Sequence, residues 1–240
     1  MEPTASSPSS RAEPLAFLPV ILNAVKNPRI SVFAPLLFTL LCVPLLVAQS
    51  DPALIRRVDD HYNHLRTLRA HYTEHYSAIG LDRTESGTLT LKKPGLMRWA
   101  YDQPSGKLFI LDGRFAWLYT PGDAQVSRAP ARQLDDLRSP LRLLLGHTRL
   151  AKELDQLATT PDGADFRISG VPKGMAQRVR LLTLTVTPTG AITAMKLVEA
   201  DGATTDFSFT QIEEDIAVPA SDFTFTPPPG IPVVTAQPPI

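Results

Sequence analysis

The chain has 240 residues, with 24 basic and 24 acidic side chains and a pI near 7.0. This balance argues against nucleic-acid binding, which requires a basic stripe, and it provides no long-range attraction for an acidic partner. The single cysteine, Cys42, lies in an N-terminal apolar run, so the rest of the chain can form neither a disulfide nor a cysteine-ligated metal site.

The N-terminal region has the layout of a secretory signal. Lys26 and Arg29 precede an uncharged apolar run over residues 30–48, and small residues follow it before Asp51. The pattern predicts a signal peptide over residues 30–50 that is cleaved at or near Asp51. The alternative is an uncleaved anchor, because a run of about 19 apolar residues can span a bilayer.

Two further features belong to this region. Cys42 would be a lipid attachment site only after a small residue, and Leu41 stands there instead. Residues 1–29 form an extended N-terminal region, for which a mis-assigned start codon is one explanation. The fold prediction therefore concerns residues 51–240, which are expected to form a single domain.

Residues 51–70 are predicted to form an amphipathic helix, capped by Asp51 and started by Pro52. Two alternating strands follow, over residues 70–78 and 84–93. Period-two aromatic strands then continue the pattern, separated by Pro-Gly, Pro-Ser-Gly and Asp-Gly turns. Strands resume over residues 166–171, 179–187, 191–199 and 204–212.

The alternation of apolar and polar residues stops over residues 134–157. Leucines at helical spacing there predict one or two short helices, broken at Pro140 and Gly146. The proline-rich tail cannot continue a central strand and is predicted to run along an edge. Many sequential strands with one apolar face favour a curled antiparallel sheet covered by the helices.

Four segments carry a family resemblance: a basic-Pro segment leading to a tryptophan, an Asp-Gly hairpin followed by aromatic-x-Tyr, a closing F-x-F-x-P-P-x-G, and the strand at residues 67–74. The first three contain Lys93, Pro94, Met97, Trp99, Asp112, Gly113, Trp117, Tyr119, Phe223, Phe225, Pro227, Pro228 and Gly230. In this order they resemble the periplasmic outer-membrane lipoprotein carrier family (LolA). The resemblance implies a mainly β fold with some α, an incomplete (half-open) antiparallel β-barrel of about eleven strands with a helical lid.

The resemblance also implies a function. The expected protein is a monomeric periplasmic carrier that takes lipoproteins from an inner-membrane releasing transporter to an outer-membrane acceptor, with their acyl chains held in a hydrophobic cavity. The expected lipid-binding residues are Leu89, Leu91, Met97, Trp99, Tyr101, Phe109, Trp117 and Tyr119. The expected lid residues are Leu141, Leu144 and Leu145. Lys93 stands where the family carries an arginine that latches the lid, and a lysine offers fewer, more flexible donors.

Other interpretations stay open. A module of the same fold could sense mislocalised lipoproteins during envelope stress, and a lipid-anchored acceptor would need the lipid attachment motif that Leu41 interrupts. The aromatic residues could also be ordinary core. Catalytic motifs such as G-x-S-x-G or a phosphate loop are absent from the sequence. No catalytic residue, cofactor, metal site or nucleic-acid partner is therefore predicted.

Overall fold

The computed structural model describes residues 50–136 and 149–235. The helices are α1 (Pro52–His64), α2 (Ala131–Asp136) and α3 (Leu150–Glu153), with a short 3-10 helix over Ala220–Phe223. The strands are β1 (Thr67–Ala78), β2 (Leu81–Lys92), β3 (Leu96–Gln103), β4 (Leu108–Asp112), β5 (Phe115–Tyr119), β6 (Val126–Pro130), β7 (Leu154–Asp162), β8 (Asp165–Pro172), β9 (Val179–Val186), β10 (Ile192–Glu199), β11 (Thr204–Glu214) and β12 (Val233–Thr235). None of the helices in these described ranges is long and apolar enough to cross a membrane.

Helix α1 begins as the sequence predicts. The Asp51 carboxylate accepts hydrogen bonds from the backbone N–H groups of Ala53 (2.8 Å) and Leu54 (3.2 Å), and these bonds lower its pKa. The helix ends at His64, earlier than the predicted residue 70, because Thr67–Ala78 pairs with strands on both sides. Pairing within a sheet has outweighed the helical spacing of the apolar residues here.

The twelve described strands form one open sheet in the order β12-β6-β5-β4-β3-β2-β1-β11-β10-β9-β8-β7. All neighbours are antiparallel except β12 and β6, which are parallel. The prediction of an unclosed, mainly antiparallel sheet is confirmed, with twelve strands where about eleven were expected. The tail does run to an edge, as its prolines predict.

The middle of the chain differs in part from its prediction. Residues 154–162 form strand β7, which pairs with β8, and do not continue a helix. A short apolar run with mixed spacing is ambiguous between the two structures, and the available edge of β8 decides between them. The expected lid residues, Leu141, Leu144 and Leu145, lie outside the described residues.

The sheet has two faces with different coverings. The inner face packs under α1 into the main apolar core, which includes Leu54, Val58, Leu68, Leu89, Leu91, Met97, Trp99, Phe109, Leu184, Met195 and Phe209. The outer face of β3 and β4 is covered by the 3-10 helix, whose Phe223 is fully buried. Arg98 and Lys92 hold this C-terminal segment by donating to the carbonyls of Asp222 (3.1 Å) and Val218 (2.6 Å).

Candidate functional site

A cavity of about 650 Å³ lies on the inner face, between strands β1–β5 on one side and β9–β11 on the other. Trp99 of β3 and Met195 of β10 both line it, although four strand-to-strand steps separate them in the sheet. A flat sheet would place them about 19 Å apart, at about 4.8 Å per step. The sheet therefore curls around the cavity, whose volume is in the range of ligand-binding pockets.

The floor of the cavity is aromatic and apolar. Trp99 opposes Phe109 across β3 and β4, and Met195 opposes Phe207 across β10 and β11, because opposed residues in an antiparallel pair share a face. The rings of Trp99 and Phe207 lie 5.6 Å apart at a tilt, and Tyr72 meets Trp99 edge-on at 4.5 Å. Ring contacts of this kind hold the floor in a fixed shape.

The indole N–H of Trp99 is directed within the floor. It donates to the sulfur of Met97 at 3.0 Å, and both side chains are buried. A thioether is a weak acceptor, so the bond satisfies the indole without adding a strongly polar atom. The floor can therefore face an apolar ligand without leaving the Trp99 indole unpaired.

One end of the cavity is polar. The Glu85 side chain is 5% exposed and accepts from the Lys107 ammonium at 2.6 and 2.9 Å. It also forms an ion pair with Arg83, whose Nε lies 3.3 Å from Glu85 Oε1. Lys107 also lies 4.3 Å from the centre of the Tyr101 ring, a cation–π distance. These contacts give the buried Glu85 carboxyl group the polar partners that its burial requires.

Glu74 also lies at this end of the cavity, but it takes no part in the ion pairs of Glu85. It opposes Glu85 directly on β1 and also lines the cavity. Burial raises the pKa of Glu74, and the neighbouring charge of Glu85 raises it further. Among the described residues Glu74 forms no ion pair, since Lys107 and Arg83 both contact Glu85.

The expected lipid-binding residues occupy three places. Trp99, Tyr101 and Phe109 line the cavity. Leu89, Leu91 and Met97 lie on the same inner face but are buried in the core beneath α1. Trp117 and Tyr119 lie on the outer face, against Phe225 of the C-terminal segment.

Trp117 and Tyr119 were expected to face the cavity, but both side chains lie on the outer face of strand β5. Trp117 opposes Ile110, a residue of the outer face, and its indole donates to Asp112 Oδ2 at 2.7 Å. Burial would raise the pKa of Asp112, but bonds from Phe115 N–H and the Trp117 indole bring it below its ordinary value. From β5 it is Leu118 that reaches the cavity.

The side chain of Lys93, the expected latch, reaches helix α1. Its ammonium donates to the Tyr62 carbonyl in the last turn of that helix. Burial lowers the pKa of Lys93, and the Asp215 carboxylate acts in the opposite direction. The Tyr62 hydroxyl accepts from Ile192 N–H of β10 at 3.0 Å, so the end of α1 is fastened to both sides of the curled sheet.

Sequence reasoning missed the side of the cavity wall that comes from the later strands. Met195, Leu197 and Phe207 come from β10 and β11, and Met175 and Arg178 come from the turn before β9. Alternation in those strands carried a signal for the inner residues, but nothing local joined them to Trp99. No three histidine, cysteine or acidic side chains of the described residues converge as a metal site would require.

A family model and the curated relatives name one family. The family model of the outer membrane lipoprotein carrier protein LolA matches residues 64–226. An outer-membrane lipoprotein carrier protein of Nitrosomonas europaea is 28% identical, over 83% of this chain and 98% of its own length. One from Pseudomonas aeruginosa strain PAO1 is 29% identical, over 79% of this chain and 91% of its own length. Among solved structures, a LolA superfamily protein of Nitrosomonas europaea is 11% identical and covers 74% of this chain and 99% of its own, with a TM-score of 0.42.

Proposed function

The chain belongs to the family of the outer membrane lipoprotein carrier protein LolA, and we propose that it carries lipoproteins from the inner to the outer membrane through the periplasm. The observation that supports this most strongly is the aromatic, apolar cavity enclosed by the curled sheet. Such a cavity can hold acyl chains away from water during the crossing. The chemistry is binding and release, with no bond made or broken.

The energy of binding comes from the acyl chains themselves. Each methylene group that leaves water contributes about 0.8 kcal/mol, so even part of one chain gives useful affinity. Trp99, Phe109 and Phe207 offer the contact surface for these methylene groups. Because the rings of Trp99 and Phe207 already pack against each other, little side-chain entropy is lost when an acyl chain enters.

Release requires that the cavity can also be closed or reshaped. Lys93 serves as a latch on helix α1, since its ammonium holds the Tyr62 carbonyl at the end of that helix. Movement of α1 would expose the buried leucines beneath it and change the room available for acyl chains. Leu141, Leu144 and Leu145 complete the proposed cover as a lid.

The remaining parts of the proposal concern location and partners. The signal peptide at residues 30–50 directs the chain to the periplasm, where it is cleaved near Asp51. A lipoprotein-releasing transporter in the inner membrane supplies the cargo, and an acceptor at the outer membrane receives it. The family membership and the basic-apolar-small layout of the N-terminal region support this assignment.

The two tryptophans provide a direct test, because they lie on opposite faces. Trp99 lines the cavity, while Trp117 packs against Phe225 on the outer face. The test titrates a diacylated lipopeptide into two variants, Trp117→Phe and Trp99→Phe, and follows tryptophan emission. The protein comes from expression of the full chain, and a fluorescent acyl probe measures binding independently of the tryptophans.

The proposal predicts that the Trp117→Phe variant, which reports on Trp99 alone, changes its emission when the lipopeptide binds. The Trp99→Phe variant should bind the probe but show little change in emission. A change in the emission of Trp117 alone would show that the ligand binds at the outer face. Absence of probe and lipopeptide binding in the parent protein would contradict the carrier function.

A further inference from the structure

The hairpin formed by β1 and β2 projects from one end of the sheet. Its two strands stay paired up to the turn, which is formed by Ile79 and Gly80. Among the described strands, β11 follows β1 only as far as Ser77, and β3 follows β2 only from Ser86. The apex of the hairpin therefore extends beyond both of its neighbours in the sheet.

The apex is apolar, which is unusual for a turn. The Ile79 side chain is fully exposed (101%), and Leu81, which follows the turn, is 49% exposed. Gly80 has a φ of +74°, and a Cβ placed on it would meet no atom within 4 Å. Turns favour glycine, proline and short polar residues, so folding alone gives no reason for isoleucine and leucine here. Ile79 and Leu81 are called the apical pair below.

The apical pair lies at an open end of the cavity. Tyr76 and Arg83 are opposed on β1 and β2, and both line the cavity. Leu81 faces the same side as Arg83, because side chains alternate along a strand, and it lies roughly 7 Å farther out at about 3.4 Å per residue. Asp201, an exposed residue of the turn between β10 and β11, also lines the cavity. The cavity therefore reaches the surface at the end from which the hairpin projects.

The small size of the apical pair favours lipid over protein as its contact. A stable protein interface buries about 1,200 Å² or more, which two side chains at an apex do not supply. The acyl layer of a bilayer needs no matching shape, and every apolar group that leaves water contributes to binding. The nearest charges are of both signs, since Asp82 lies 3.1 Å from His75 Nε2 and Arg83 lies over the Tyr76 ring at 5.5 Å. This mixture suits a head-group layer without requiring anionic lipid.

We propose that the apical pair inserts shallowly into a lipid bilayer and places the open end of the cavity against the membrane surface. Acyl chains then pass between the bilayer and the cavity alongside Leu81, with little exposure to water. The inference rests on the proposed carrier function and adds a membrane contact to it. Only two side chains enter the acyl layer, so the contact is weak and reversible, as a carrier that must leave the membrane requires.

The test measures vesicle binding by the parent protein and three variants. Ile79→Ser and Leu81→Ser each remove one member of the apical pair, and Leu181→Ser is the matched control. Leu181 of β9 is also exposed (37%), but it does not line the cavity. Protein from expression of the full chain is sedimented with vesicles of phosphatidylcholine, alone or mixed with phosphatidylglycerol, at low and high salt.

The parent and Leu181→Ser should bind both kinds of vesicle equally, at either salt concentration. Ile79→Ser and Leu81→Ser should each bind about tenfold more weakly, because burying one such side chain is worth about a decade in the binding constant. Vesicles should slow amide hydrogen exchange at residues 78–82 of the parent. The melting temperature of Ile79→Ser should equal that of the parent, because the Ile79 side chain is fully exposed.

A second measurement follows the transfer of a fluorescent diacylated lipopeptide from the protein to vesicles. Ile79→Ser should slow this transfer several-fold, while its dissociation constant for the lipopeptide in solution stays at the parental value. A weaker affinity in the absence of vesicles would instead place Ile79 in the cargo site and overturn the membrane contact.

The outcomes separate this inference from the carrier function. If the parent binds the lipopeptide but no vesicle, or if Ile79→Ser and Leu81→Ser bind vesicles as the parent does, the inference is wrong and the carrier function remains. If the parent binds neither the lipopeptide nor vesicles, both fail. Binding that needs phosphatidylglycerol and is lost at high salt would assign the contact to charged residues and would also overturn the inference.

Discussion

Lys92 and Lys93 form a natural matched pair for testing the latch on α1. They are adjacent in sequence, and each ammonium donates to one backbone carbonyl, but they lie on opposite faces of the sheet. Lys93 reaches the Tyr62 carbonyl of α1, and Lys92 reaches the Val218 carbonyl of the C-terminal segment. Replacing each lysine by methionine removes the charge and keeps most of the apolar stem.

The expected loss can be worked from these bonds. A hydrogen bond to a charged group contributes about 1.5–3 kcal/mol. For Lys93 the lower end applies, because burial lowers its pKa and so opposes the charged form. A loss of about 1.5 kcal/mol should lower the melting temperature of Lys93→Met by about 3–6 °C.

The location of the loss distinguishes the two lysines. In Lys93→Met the opening equilibrium of α1 should increase by roughly tenfold, since 1.4 kcal/mol corresponds to one decade. Amide hydrogen exchange within Pro52–His64 should accelerate by a similar factor. In Lys92→Met the same amides should exchange at the parental rate. Equal acceleration in both variants, or none in Lys93→Met, would refute the assignment of Lys93 as the latch on α1.

Two further predictions concern the supports of the cavity. Gly190 and Gly202 both have positive φ (+98° and +94°), but a Cβ on Gly190 would lie 2.7 Å from the Arg57 carbonyl oxygen of α1, while a Cβ on Gly202 would meet open space. Alanine at 190 should therefore cost about 1–3 kcal/mol more than alanine at 202 in chemical denaturation, and equal losses would show that α1 does not approach this turn. Asp112→Asn should cost about 1–3 kcal/mol at pH 7, because Asp112 accepts bonds from two backbone N–H groups and from Trp117. Since the pKa of Asp112 is lower in the folded protein than its ordinary 3.8, the difference should shrink as the pH falls below that value, and a difference independent of pH would contradict the assignment.

Local pattern was sufficient for much of the sheet. Strands β2, β3 and β8–β11 follow the alternation and turn residues of the sequence, because each hairpin there is set by residues close together in the chain. Strand β7 was not recognised, since its short apolar run could equally belong to a helix and only the edge of β8 decides between the two.

The candidate site was harder to predict, because it depends on register. Trp99 and Trp117 both lie on period-two strands, yet the hairpin between β4 and β5 pairs Trp117 with Ile110 and turns it to the outer face. A shift of one residue would have reversed this outcome, and the spacing of the aromatics cannot reveal it. Lys107 and Glu85 are 22 residues apart in the chain, so their ion pair could not be predicted before the register of the strands was known.

Photo-cross-linking with a lipopeptide that carries a diazirine at the end of one acyl chain tests the central claim most directly. After irradiation with the purified protein, peptide mapping by mass spectrometry locates the labelled residues. The account predicts labels on inner-face residues, chiefly Trp99, Phe109, Met195 and Phe207, and their loss when unlabelled lipopeptide competes. Labels confined to Trp117, Tyr119 and Phe225 on the outer face, or labelling that no competitor reduces, would contradict it.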